Sequence, residues 1–277
     1  MKLKIVVTLL VMALTASAAP FEIGRLSLHG NAIRIELATE KEFRWSGRVE
    51  AGRTVSIRGV NGDIHAEPSS GDQVEVVANK QGRRSNPDDV DIRVVQHEGG
   101  VTICAVYPSS DGKLADDCGT GKGWTSHVSN NDVEVDFAVR LPQGLSFSGR
   151  TVNGEIETGL IGGDVEASTV NGSIRLAAAG HAEAKTVNGS ITASLGKADW
   201  NESVEFKTVN GEIVLNLPAD TSTDVHAETL NGDISTDFPL TVQGRISRRK
   251  LNGTIGNGGR ELNLATINGG IQLRRAS

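Results

Sequence analysis

The sequence predicts an all-β fold: a β-solenoid, a parallel β-helix-like stack with two short strands per rung of 16–22 residues, carrying an antiparallel β segment inserted in its N-terminal half. Three observations predict it. A Val-Asn-Gly-x-Ile motif returns at near-constant spacing. Val, Ile and Leu alternate with polar residues through most of the chain, the two-residue period of a strand with one buried face. Glycine is abundant at 33 residues while aromatics are 4%, a composition of many tight turns around a thin aliphatic core.

The chain starts with Lys2 and Lys4, an apolar run from Ile5 to Leu14, and the small residues Ala16-Ser17-Ala18. Such a run is shorter than the roughly 20 residues that span a bilayer, so residues 1–18 read as a cleaved secretory signal. The expected product is exported, periplasmic or at the cell surface or secreted, with no membrane span in the mature chain. Its loss of two lysines leaves 26 basic against 34 acidic residues and moves the formal charge from −6 to −8. That surface repels nucleic acid and anionic lipid over long range and tolerates cationic partners.

Residues 19–72 read as N-terminal strands, with strand character at Ala32 to Ala38, and a first motif copy, Val60-Asn61-Gly62-Asp63-Ile64. Residues 73–150 lack the motif. Runs at Val74 to Ala78, Val90 to Val95, Val101 to Tyr107 and Val133 to Leu141 predict antiparallel strands there, with a hairpin turn at His97-Glu98-Gly99-Gly100. Cys104 and Cys118 lie 14 apart in an exported chain, which predicts a disulfide closing a surface loop. A metal site is the weaker alternative, since no C-x-x-C pair accompanies them. The polar, Gly-rich stretch from Pro108 to Asn131 is long for a loop inside a compact domain. Its Gly119-Thr120-Gly121-Lys122-Gly123 lacks the strand-to-helix setting of a phosphate cradle, and Asp111, Asp116 and Asp117 lack calcium-loop spacing.

Residues 151–277 carry the repeat proper, and one continuous domain is expected from about residue 45. Asn153, Asn171, Asn188, Asn210, Asn231, Asn252 and Asn268 step by 18, 17, 22, 21, 21 and 16. With Asn61 they are expected to be structural turn residues, Asn-Gly being a pair that accepts φ > 0 at little cost. Ile156, Ile174, Ile191, Ile213, Ile234 and Ile271 share one inward phase of the strand after the turn. Val165, Ala182, Val204, Val225 and Leu262 share one in the strand before it. Thr169, Thr186, Thr208, Thr229 and Thr266 fall two residues before each Asn, predicting Thr and Asn columns that hydrogen-bond the turn backbone. Residues of a single active site are not normally repeated in every rung, so these columns read as structural. Arg248-Arg249-Lys250 replaces the Thr before Asn252, and charges at an inward phase are costly, so that rung is expected to twist out or cap the stack.

One outward column has the composition of a site. Glu166, Glu183, Glu205 and His226 are expected to stack at about 4.8 Å per rung, with Asp164, His181 and Asp224 on one side and Lys185 and Lys207 on the other. The bland reading is a solvated, salt-bridged face. The functional one is a ligand face for a polysaccharide or a cation, with no assigned catalytic, cofactor-binding or metal residue and no cofactor.

The Val-Asn-Gly-x-Ile series resembles the bacterial putative-adhesin family of domains of unknown function, of β-strand-repeat type. Leu141-Pro142-Gln143-Gly144, Asn216-Leu217-Pro218-Ala219 and Gly256-Asn257-Gly258-Gly259 fit the same pattern, and the resemblance covers roughly residues 45–277. It implies an exported, envelope-associated stack and brings no catalytic residue. The function expected is a non-catalytic cell-envelope scaffold with a protein or glycan partner. The alternative is a polysaccharide-binding or polysaccharide-active protein using the Glu166, Glu183, Glu205 face.

Overall fold

The computed structural model describes residues 25–29, 32–36, 39–108, 118, 131–196, 200, 202–242 and 247–276. The expected signal segment 1–18, and Asp111, Asp116, Asp117, Trp124 and Gly119 to Gly123 of the long loop, lie outside the described residues. The chain divides into two compact units, Met1–Ala38 and Thr39–Ser277. In the first, Arg25–His29 and Ala32–Glu36 pair antiparallel.

In the second unit two sheets enclose one aliphatic core, and the chain is an all-β solenoid. One rung shows the construction. The pre-corner strand Val165–Ser168 leads to Thr169, the chain turns at Asn171-Gly172, and the post-corner strand Ile174–Ala178 departs in the other sheet. Each strand pairs in parallel with its equivalent in the next rung. Ile64, Ile156, Ile174, Ile191, Ile213, Ile271 and Ile234 therefore form one column. Phe147, Val165, Ala182, Val204, Leu262 and Val225 form another. All but Ile234 are buried. Burying one such aliphatic contributes about 1.5–3 kcal/mol, so the stack is held mainly by these columns. Ala167, Ala184 and Ala193 at the neighbouring inward positions leave room only for a thin core.

At the C-terminal end, rung order departs from chain order. The last rung, Glu261–Asn268 with Ile271–Arg275, lies between the rung of Val204–Lys207 and Ile213–Leu217 and the rung of Thr223–Asn231 and Ile234–Thr236. Equal spacing in sequence suggested a simple succession; the pairing shows that the terminal segment folds back into a slot one rung wide.

Asn252 is also corrected. It is not a corner residue. Lys250–Ile255 runs antiparallel to Thr223–Asn231, and Asn252 sits opposite His226 in mid-strand. In a parallel rung Lys250 would take the inward place held elsewhere by Thr. Reversing the strand buries Leu251 instead and leaves Lys250 exposed opposite Glu228. With Leu240–Val242 this strand finishes the pre-corner sheet by antiparallel pairing.

The N-terminal half mixes both modes. Gly100–Val106 and Glu134–Pro142 extend the parallel stack beyond Thr54–Arg58 and Ile64–Ser69. Asp91–His97, Val74–Gly82 and Thr39–Gly47 then finish the two sheets antiparallel. Cys104 and Cys118 are disulfide-bonded, with their Cα atoms 5.8 Å apart. Short or reversed strands at both ends blunt the open edges of a parallel stack.

The corner glycines differ from expectation in their physical reason. Of the seven stacked corner glycines only Gly62 and Gly269 have positive φ. The others are glycine because the corners touch: a Cβ on Gly172 would meet the carbonyl oxygen of Gly154 at 1.9 Å, and one on Gly189 that of Gly172 at 2.0 Å. Gly172→Ala should therefore cost about 3 kcal/mol in urea unfolding, the upper range for overpacking. Gly196→Ala, whose Cβ would find its nearest neighbour at 3.5 Å, should change stability by less than about 0.5 kcal/mol. Equal small effects would show that the corners do not need this approach.

Candidate functional site

The pre-corner sheet presents its outward residues in straight columns because register is kept from rung to rung. The central column reads Ser56, Ser148, Glu166, Glu183, Glu205, Asn263 and His226. Glu166, Glu183 and Glu205 are thus neighbours, whereas His226 is separated from Glu205 by Asn263 of the inserted rung. His226 Nδ1 lies 3.2 Å from Asn252 Oδ1 instead.

A basic column runs beside the glutamates and pairs with them. Arg150 Nη2 donates to Glu166 at 2.6 Å, Lys185 Nζ reaches Glu205 at 2.6 Å and Glu183 at 3.5 Å, and Lys207 also pairs with Glu205. Partial burial alone would push the Glu205 carboxyl up, but hydrogen bonds from Lys185 and Lys207 outweigh it and hold it below the usual range. The hydrogen bond to Glu205 in turn raises Lys185. Both shifts favour the charged forms at neutral pH. Such half-exposed pairs stabilise by about 0.2–1 kcal/mol each, enough to offset the repulsion of stacked carboxylates. Farther up the column Arg58 is buried, which lowers its pKa, with the charge of Arg150 adding to the effect.

On the other side of the glutamates lies a shallow groove of about 280 Å³, lined among others by Ser146, Ser148, Asp164, Glu166, His181 and Glu183. Its polar groups are knitted together. Ser148 donates to Glu166, Ser146 Oγ accepts from the Asp164 N–H, Asp164 accepts from the His181 N–H, and His181 Nε2 donates to the Ser203 carbonyl. Hydroxyls and carboxylates on an open floor can exchange hydrogen bonds with a polyol. Among the described residues no three His, Cys, Asp or Glu side chains come together to share a metal ion.

The corners form the border of this face. Asn61, Asn153, Asn171, Asn188, Asn210, Asn268 and Asn231 make a ladder in that order, each Nδ2 donating to the Oδ1 of the preceding asparagine at 2.7–2.8 Å. Beneath it the buried hydroxyls of Thr151, Thr169, Thr186, Thr208, Thr266 and Thr229 each donate to a glycine carbonyl of the neighbouring corner at 2.8–3.1 Å. Every stacked Asn and Thr is thus occupied by its neighbours. Between the two lies an apolar ridge that the sequence reading did not single out. Val170, Val187, Ile267 and Leu230 are exposed there. Its signal was available, since one residue after an inward Thr must point out.

The opposite, post-corner face holds a carboxylate group that sequence reading could not find, because Asp63 and Asp136 are 73 residues apart. Asp136 accepts the Asp63 backbone N–H at 2.9 Å, and Asp63 accepts that of Glu155 at 2.7 Å. Burial raises the Asp136 carboxyl, and the charge of Asp63 adds to it against the hydrogen bond. Burial also raises Glu134, with Asp136 and Asp63 contributing.

The sequence model of the Toastrack DUF4097 family matches residues 53–274. None of the curated proteins matches. Among solved structures, a putative cell adhesion protein from Clostridium sporogenes is similar at 12% identity and a TM-score of 0.45, over 85% of this chain and 100% of that one. A putative adhesin from Bacteroides fragilis is similar at 12% identity and a TM-score of 0.35, over 85% and 97%. A putative lipid binding protein from Parabacteroides distasonis gives 11% identity and a TM-score of 0.24, over 85% and 97%.

The Asp136 site makes a pH-dependent prediction. A carboxyl whose pKa is higher folded than unfolded binds its proton more tightly in the native state, so its stability contribution improves as pH falls. Asp136→Asn keeps an acceptor for the Asp63 N–H and removes the charge. It should melt higher than the parent at pH 7, and the gap should close as pH falls through the raised carboxyl range. A gap that is independent of pH would remove this account.

Proposed function

The chain belongs to the Toastrack DUF4097 family, and we propose that it is a non-catalytic, exported cell-envelope scaffold, adhesin-like, that engages a protein or glycan of the envelope through the outer faces of its solenoid. The observation that carries the reading is the state of the Glu166, Glu183, Glu205 column. General acid–base chemistry needs a group tuned toward the working pH, usually with a partner tuned away from it. Here Glu205 is held lower and Lys185 higher, which favours fixed charges over proton exchange. The corner Asn and Thr residues are likewise committed to the stack. What the face offers is a long, flat, regular array of alternating charge bordered by exposed aliphatics, which suits recognition by many weak contacts. Export is the reading of the first 18 residues.

A polysaccharide-binding or polysaccharide-active protein is the second reading, and the groove beside Glu166 and Glu183 is the observation that favours it. The two readings separate in one pair of experiments. The full chain should co-sediment with isolated cell envelopes, and a Glu166→Gln/Glu183→Gln/Glu205→Gln variant should bind at least about tenfold more weakly, a loss of about 1.4 kcal/mol, while its melting temperature stays close to the parent. No reducing ends should appear when the protein is incubated with envelope polysaccharide. Release of reducing ends that the triple variant abolishes would replace the scaffold by an enzyme. Binding that the variant leaves intact would move the contact surface off this face.

A further inference from the structure

The position of the last rung leads to an interaction with a second copy. In a stack whose rungs follow chain order, the terminal rung closes one edge. Here Glu261–Asn268 and Ile271–Arg275 pair in parallel on both sides. Withdrawing them would leave a slot with two unpaired edges, lined by inward Val204, Phe206, Ile213 and Leu215 on one side and Val225 and Ala227 on the other. The slot is a negative of the rung. Thr266 donates to Gly211 O and Asn268 to Asn210 on one edge; Thr229 donates to Gly269 O and Asn231 to Asn268 on the other.

The rung enters through Gly256-Asn257-Gly258-Gly259, where φ is +59° at Gly256, +75° at Gly258 and +153° at Gly259. This turn is held shut by contacts to one short stretch. The Asn257 N–H donates to Ser222 Oγ at 3.3 Å and the Gly259 N–H to Asp224 Oδ2 at 3.4 Å, while Thr254 Oγ1, on the strand paired with Thr223–Asn231, fixes Asp224 Oδ1 at 2.8 Å. The contacts therefore fall into two classes. Those of the rung with the slot are the same whether the rung comes from its own chain or from an identical one. Those of the turn with Ser222 and Asp224 need the chain folded back on itself.

We propose that the terminal rung, residues 260–276, is exchangeable: two copies of this chain trade it through the glycine turn and form a domain-swapped dimer in which each slot holds the partner's rung. An exchange of this kind keeps every core contact and alters only the hinge, so hinge contacts and protein concentration set the balance between closed monomer and swapped dimer. Asp224 is a latch on the closed form.

The test uses the full chain with one disulfide reporter. Asn210 and Asn268 are ladder neighbours in strands about 4.8 Å apart, a spacing that a disulfide spans. An Asn210→Cys/Asn268→Cys variant, refolded at high concentration and oxidised, should yield covalent dimers through those two positions. An Asn171→Cys/Asn188→Cys control, with both positions on one uninterrupted part of the stack, should link only within a chain. Asp224→Ala should raise the dimer fraction about tenfold by removing the carboxylate that accepts the Gly259 N–H at the hinge, and excess synthetic peptide 260–276 should suppress it by filling the slot. Exclusively monomeric linkage in the 210–268 pair overturns the proposal, as does an equal dimer yield in the control. If the Asp224 variant does not fold, the reporter pair in the otherwise unchanged chain decides alone.

Discussion

The constraint on which this structure rests is the contact between successive corners. At each stacked Asn-Gly corner the backbone of one rung comes so near to that of the next that no side chain fits between them, and at the repeated corners a glycine carbonyl accepts the buried threonine hydroxyl of the neighbouring rung. That approach sets the rung separation at the spacing of hydrogen-bonded strands. The separation in turn brings the isoleucine and valine columns into contact and places each asparagine amide within reach of the one before. The ladder bonds all run in one direction, so their dipoles add along the stack, a geometry in which neighbouring bonds polarise one another. Their net worth at an exposed edge is modest; their effect is on register. A slip of one residue would turn every inward column out, and the corner forbids it.

Much of this was legible in the sequence, for an identifiable reason. Threonine, asparagine, glycine and isoleucine keep fixed phase in most rungs, so a period-2 argument from one rung carries to the others. The inward columns, the paired cysteines, the hairpin at His97 to Gly100 and the solenoid itself follow from local residues and spacing. What the sequence did not yield are features decided between distant segments. Equal spacing of asparagines does not encode which rung lies next to which, so the inserted position of Asn268 was hidden. Asn252 kept the motif but lost the threonine, and the charge of Lys250 decided the strand's direction. Glycine at the corner was expected for its φ and is required for its lack of a Cβ. The Glu166, Glu183, Glu205 neighbours were legible because they lie within successive rungs; Asn263 displaced His226 because it arrives from the end of the chain.

The two sheets have unlike outer faces, and the difference follows from what each rung places there. On the pre-corner side, three rungs in succession supply Glu at one outward position, while lysine stands two residues later in two of them. Charge there is patterned along the solenoid axis and across it, and each charge has an opposite one at hand. On the post-corner side, Asp136 and Asp63 accept backbone N–H groups of the following rung, so their carboxylates serve the stack, and that of Asp136 is partly withdrawn from solvent. A surface designed only for solubility needs neither arrangement. The paired column is the one that remains open to exchange its partners, since each ion pair there is half exposed and individually weak.

Weak individual contacts at fixed spacing become effective when many are made at once, because linked sites raise one another's effective concentration. A solenoid meets half of that condition by repeating one outward pattern along a rigid axis. The exchangeable rung would meet the other half. Two stacks joined through their own terminal segments present two copies of the same face, at no cost in new interface, because the core contacts of the rung are unchanged by the exchange. The fold then reads as a device for multiplying a modest surface: corners that fix the repeat, columns that carry the pattern, and an insertion that allows one chain to share its last turn with another.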